Sequence, residues 1–246
     1  MRIAILGGTQ GMGRAIARAL VERGDQVFIL GIEPEELART AADLQARSPS
    51  NAPVGYAHCD LGDTATFAAA LDAAQADLGD LEGVVVTAAI FATQEAMEAD
   101  VDRAERLLRL DFTNTVVFCE HARKRLLARG GGTLCVFSSV AGDRGRKPVA
   151  LYGAAKAGLS HYLESLDHKH HGDGLRVITV KPGFVKTGMT AGLKPPPFAG
   201  EPTAVAKTVV KAIDRGSPVV YAPPIWRWVM VVIRWLPRFV MRKIGF

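Results

Sequence analysis

The chain has 246 residues, 48% hydrophobic and 22% charged, enough for one large packed domain and outside the disordered and disulfide-scaffold classes. Lys and Arg total 30 against 25 Asp and Glu. Five of those bases, Arg227, Arg234, Arg238, Arg242 and Lys243, follow Ile225, where there is no acid. The body is thus formally neutral, which argues against a general nucleic-acid surface and puts the excess charge in the tail.

Taken in order, short apolar runs alternate with longer helix-period stretches. Strands are expected at 2–7, 26–30, 54–59, 83–87, 133–137, 175–180 and 219–221, and helices at 11–23, 33–46, 63–78, 99–128, 151–171 and 202–215. Val/Ile-rich runs separated by helices predict an α/β fold: one doubly wound domain, a mainly parallel seven-stranded sheet with helices on both faces. Residues 48–53 and 188–200, the second containing three consecutive prolines, are expected to be irregular. The cysteines, Cys59, Cys119 and Cys135, sit in or beside apolar runs and read as buried hydrophobes in a reducing compartment. The chain opens on a strand-like run, so no signal peptide is expected, and no run is long enough to span a membrane. A cytoplasmic protein is expected, with the inner membrane face as an alternative address.

Two motifs carry chemistry. Gly7, Gly11, Met12 and Gly13 lie in "ILGGTQGMGRAIA", between the first strand and first helix, where glycines allow close backbone approach and the helix N-terminus offers free N–H groups to a pyrophosphate. Tyr152 and Lys156 stand four apart in "LYGAAKAG", on one helical face, where the ammonium favours the phenolate and lowers the tyrosine pKa. The same spacing also describes a half-buried Tyr beside a solvated Lys. "HKHH" at 168–171 reads as a solvated helix end, and no metal site is expected.

Together, Gly7/Gly11/Gly13, "SSVAG" at 138–142, Tyr152-x-x-x-Lys156 and "KPGFVKT" at 181–187 resemble the classical short-chain dehydrogenases/reductases over residues 2 to about 221. The resemblance implies a Rossmann domain binding NAD(H) or NADP(H). Tyr152 is the expected proton donor or acceptor and Ser139 the donor to the carbonyl oxygen. Lys156 is expected to tune Tyr152 and hold the nicotinamide ribose. Pro182 and Gly183 shape the turn, Thr187 bonds the carboxamide, Asp60 contacts the adenine, and Ala88 belongs to the wall after the fourth strand. Ser138 is expected to be a neighbour of the site. The family commonly forms dimers or tetramers, so a homodimer or homotetramer is expected.

Three departures stand out. The family's Asn-Asn-Ala-Gly is Val86-Thr87-Ala88-Ala89, so the asparagine contacts are expected to be lost. The tetrad asparagine falls at Asp111, whose carboxylate either holds the same water or reroutes the proton relay. After the second strand, Leu30-Gly31-Ile32-Glu33 has neither the aspartate of NAD users nor the arginine of NADP users. Glu33 can reach ribose hydroxyls and repels a 2′-phosphate, favouring NAD(H); Arg14 argues the other way.

The segment 225–246 is set apart from the domain, 1–224. At 100° per residue its arginines form a narrow stripe, and Pro237 must split it. It fits either a peripheral helix pair on an anionic membrane or a cover over the cleft or a subunit contact. This tail, with "GDRGRKP" and "TGMTAGLK", is similar to the mycobacterial reductases of polyprenylphosphate-linked keto-sugars. It implies a lipid-linked or otherwise membrane-associated substrate, with Arg144, Arg146 and Lys147 placed to meet a phosphate. A 3-oxoacyl or keto-sphingoid reductase is the alternative substrate class. A catalytically poor nucleotide-binding sensor is the alternative of another kind.

Overall fold

The structure, a computed structural model, describes residues 1–245; Phe246, the last residue of the tail, lies outside them. Among the described residues, seven parallel strands form one sheet in the order β3-β2-β1-β4-β5-β6-β7. They are β1 Arg2–Leu6, β2 Gln26–Gly31, β3 Gly55–His58, β4 Gly83–Val86, β5 Gly132–Phe137, β6 Leu175–Pro182 and β7 Val219–Ala222. Each falls within one or two residues of its expected bounds. The helices are α1 Gly11–Glu22, α2 Pro34–Arg47, α3 Thr66–Leu78, α4 Gln94–Glu98, α5 Val101–Leu108, α6 Thr115–Ala128, α7 Ala150–His170, α8 Pro202–Arg215, α9 Trp226–Trp235 and α10 Arg238–Met241.

The strand residues sort onto two faces by parity, as the pleat requires. Ala4, Leu6, Phe28, Leu30, Val84, Val86, Leu134 and Val136 join the core under α3, α6 and α7. Ile3, Ile5, Val27, Ile29, Val85, Cys135, Ile178 and Val180 join the core under α1, α2 and α8. Burial on both faces is why these runs read as continuously apolar. All three cysteines are buried and free, with burial pushing the Cys59 thiol up to about 12 and the other two higher.

One element differs from expectation. The single helix expected over 99–128 is α5 and α6 joined by a π-helical stretch, Arg109–Asn114, with the short α4 ahead of it. A π turn takes in an extra residue over one short stretch, too brief for an apolar periodicity to register, and such turns gather at functional positions. Asp111 lies in it. In the tail, Pro237 splits α9 from α10 as expected.

Strand order reverses between β1 and β4, the point where the connections leave in opposite directions. An α/β sheet opens a crevice there, at the carboxyl ends of its strands.

Candidate active site

A cavity of about 350 Å³ occupies this crevice, lined by Leu6, Gly7, Gly11, Met12, Gly13, Glu33, Cys59, Leu61, Ala88 and Thr187 among others. Gly7 has φ +87°, and a Cβ on Gly13 would stand 2.1 Å from the Gly7 carbonyl oxygen. No side chain fits, so the turn brings bare backbone to the cavity. α1 begins at Gly11; its N-cap Gln10 makes no side-chain cap bond and its first turn has no acid. Its leading N–H groups are therefore left for an anion. A glycine cradle, an open helix start and a crevice at the switch point together fit a dinucleotide.

The asparagine contacts expected to be lost have a replacement. Thr87 Oγ1 donates within 3.1 Å of both the Leu6 and Gly7 carbonyls, tying β4 to the glycine turn. The sequence reading missed Thr87 because a threonine at a strand end looks like ordinary β propensity. Asp60 accepts the Gly62 N–H at 2.7 Å, closing its own loop, while Cys59 and Leu61 supply the wall on either side of it. Thr187 lines the cavity, and its backbone N–H is held by Thr190 Oγ1 at 3.0 Å.

Beyond Ala88 and Ala89 the chain reaches Ile90, whose N–H donates to Asp111 Oδ1 at 2.8 Å. Asp111 Oδ2 lies 3.2 Å from Lys156 Nζ, with both side chains fully buried. Lys156 Nζ in turn is 5.6 Å from the centre of the Tyr152 ring. The sequence left Asp111 either holding a water or rerouting the proton relay; in the structure its carboxylate pairs directly with the Lys156 ammonium. Ser139 begins a short turn, its Oγ accepting the Ala141 N–H at 3.1 Å, and its hydroxyl favours the ionised form of Tyr152. Ser138 is buried and donates to the Lys156 carbonyl, also meeting Ser160, which pins α7 to β5 and confirms a structural place. Gln94 on α4 steadies the start of α7 by accepting the Leu151 N–H at 3.1 Å.

The electrostatics correct one expectation. Burial raises the Tyr152 pKa above its ordinary value; Lys156 and Ser139 pull it down, but Asp111 pushes it up. The ammonium does act as expected, but burial is the larger effect and the carboxylate beside the ammonium adds to it, so the pKa rises. Burial also raises Asp111, against Lys156. Lys156 loses by burial but is raised on balance by Asp111 and Tyr152, so it stays an ammonium.

A second network lies alongside. Asp143, four residues after Ser139, accepts from Lys181 Nζ at 2.6 Å and from the Tyr221 hydroxyl at 2.8 Å. Burial and this carboxylate push Tyr221 up to about 12. It joins the Ser139 turn to the end of β6, which leads into Pro182 and Gly183. Asp143 stands in "GDRGRKP" and Lys181 opens "KPGFVKT", but neither motif points to the other or to Tyr221, and only the fold brings the three together.

The tail packs here. Met230 and Ile233 of α9 are buried against Val140, and the Trp226 indole lies on Gly183, where a Cβ would meet it at 2.1 Å. Arg144 and Lys147, expected to meet a phosphate, instead donate to the Leu236 and Arg242 carbonyls at 3.0 and 2.7 Å. Those bonds hold the tail down. Beside Glu36, which lines the cavity, Arg14 is engaged by Asp43 at 3.4 Å and by Glu36 at 3.9 Å, and Glu36 also pairs with Arg39.

The family model described as short chain dehydrogenase matches residues 2–197. An "uncharacterized oxidoreductase" of Mycobacterium tuberculosis is 33% identical over 241 residues, 98% of this chain and 96% of its own length. The cis-4-hydroxycyclohexanecarboxylate dehydrogenase of Sinomonas cyclohexanicum is 32% identical over 196 residues, 78% of this chain and 76% of its own. A solved short-chain type dehydrogenase/reductase from Mycobacterium ulcerans has the same fold, with a TM-score of 0.81 and 24% identity over 89% of this chain and 86% of that one.

Proposed function

This chain belongs to the short chain dehydrogenase family and is an oxidoreductase of it, and we propose that it interconverts a ketone and a secondary alcohol on a lipid-linked or membrane-associated substrate, a polyprenyl-linked keto-sugar being the leading candidate. The observation that carries the chemistry is the convergence of Ser139, Tyr152, Lys156 and Asp111 beside a glycine-cradled crevice. In the reductive direction Tyr152 gives its proton to the substrate oxygen, and Ser139 donates a hydrogen bond to that oxygen as negative charge develops. Lys156 remains charged and favours the phenolate left on Tyr152, and it would hold the nicotinamide ribose; Asp111 holds Lys156 in place. A nicotinamide dinucleotide supplies or accepts the hydride when bound. Gly7, Gly11, Met12 and Gly13 would hold its pyrophosphate and Glu33 its adenosine ribose. Asp60 and Ala88 would line the adenine and nicotinamide sides, with Pro182, Gly183 and Thr187 at the carboxamide.

NAD(H) is the proposed cofactor over NADP(H). Glu33 lines the cavity, and Arg14, the counter-argument in the sequence, is engaged by two carboxylates. Support for a greasy substrate comes from Met189, Leu193 and Phe198, exposed on the loop that follows Thr187. Residues 1–224 are proposed as the catalytic unit and 225–246 as an added segment. The assembly is proposed as a homodimer or homotetramer at the cytoplasmic membrane face. Among the described residues no helix is long and apolar enough to cross a membrane. The Sinomonas relative's name supports a second reading, a small cyclic secondary alcohol. NADH and NADPH oxidation against polyprenyl-linked keto-sugars, 3-oxoacyl and keto-sphingoid lipids and cyclic ketones tests the proposal. Turnover confined to the small ketones would remove the lipid-linked reading.

A further inference from the structure

We infer that the outward face of α9 and α10, continued by the 188–200 loop, is a docking surface for an anionic lipid membrane. Trp226, Val229, Met230 and Ile233 turn one side of α9 toward the domain. The opposite side is Trp228, Val231, Val232 and Trp235, with Trp228 67%, Val232 64% and Trp235 84% exposed, and Phe239 on α10 is 65% exposed. A helix apolar on both sides has a second contact to make. Arg227 and Arg234 lie together on one flank, about 20° apart at 100° per residue, and both are exposed.

Charge chooses the occupant. The segment has five bases and no acid. A second copy across a two-fold axis would set those five charges against the same five, with nothing in the segment to pair them. Anionic headgroups pair all of them, and tryptophan rings flanked by bases suit the bilayer interface. The surface also leads to the site. Trp226 Nε1 donates to the Phe198 carbonyl at 3.3 Å, joining the tail to the loop, and Thr187 and Met189 at the loop's start line the cavity. An apolar chain could thus pass from the bilayer along Phe198 and Leu193 toward Tyr152. The docking surface itself rests on exposure and charge and needs no particular substrate.

The test is flotation of the full-length protein with phosphatidylglycerol/phosphatidylcholine vesicles and with phosphatidylcholine alone, at low and high salt, without substrate. The wild type should float with the anionic vesicles and less so in salt. Trp228→Ser/Val232→Ser/Trp235→Ser should stay in solution with its melting temperature kept, because those side chains touch solvent. Arg227→Gln/Arg238→Gln should bind about five-fold more weakly for each charge lost; this pair decides the matter if the triple variant does not fold. Wild type remaining in solution at low salt overturns the inference, as does undiminished flotation of the arginine variant. So does a light-scattering mass that falls from oligomer to monomer in the triple variant, since the face is then a subunit contact. Because flotation is read without turnover, its failure leaves the oxidoreductase reading standing.

Discussion

Replacing Asp111 by Ala should both destabilise the protein and shift its pH–rate profile. The Asp111 side chain is 0% exposed and that of Lys156 2%, 3.2 Å apart. Removing the carboxylate leaves an ammonium buried without its partner, a change that typically costs about 3–5 kcal/mol. It also strips the Ile90 N–H of its acceptor. For a chain of this length each kcal/mol lowers the melting temperature by about 2–4 °C, so Asp111→Ala should melt at least about 6 °C below wild type. Asp111→Asn keeps an oxygen for Ile90 and loses only the charge, so its drop should be smaller. The charge has a kinetic signature too. Asp111 raises the Tyr152 pKa, and Lys156 lowers it. With the carboxylate neutralised the ammonium acts unopposed and the Tyr152 pKa falls. Alcohol oxidation needs Tyr152 as a base, so the rising limb of its pH–rate profile should move to lower pH in Asp111→Asn. Differential scanning fluorimetry and kcat from pH 5 to 10 measure both effects. A melting temperature of Asp111→Ala within about 2 °C of wild type refutes a direct charge pair, whereas a limb that moves to higher pH shows that Lys156 loses its proton once Asp111 is neutralised.

Tyr152→Phe should lower kcat by about 10²–10⁴, the usual contribution of a general acid, while NADH affinity by fluorescence titration stays near wild type; a loss under tenfold would take the proton role from Tyr152. Glu36→Gln should free Arg39, leave Arg14 held by Asp43 alone and improve NADPH relative to NADH in the ratio of kcat/KM, with an unchanged ratio showing that Glu36 has no part in selection. Gly13→Ala should abolish NADH binding by calorimetry, because its Cβ meets the Gly7 carbonyl at 2.1 Å; near-normal affinity would show that the turn does not form the cradle.

The order of strands and helices, the glycine turn and the Tyr152–Lys156 pair were all legible in the sequence, because each depends on spacing along the chain. Burial on both faces makes strands apolar, a helix puts residues four apart on one side, and a tight turn needs glycine. Pro237 likewise announced the split in the tail. The tertiary structure decided what lies beside what. Asp111 and Lys156 are 45 positions apart in the sequence, and nothing local says that a π turn aims the carboxylate at the ammonium. That contact, with burial, is why the Tyr152 pKa rises where local spacing pointed down. Thr87 looked like strand, and Arg144 and Lys147 looked like a phosphate site until Leu236 and Arg242 came to lie against them. The tail's arginine stripe was visible in its periodicity, but which of its apolar residues face the domain and which face solvent was not. A helix apolar all round carries no sign of its buried side, and only packing against Val140 and Gly183 assigns it.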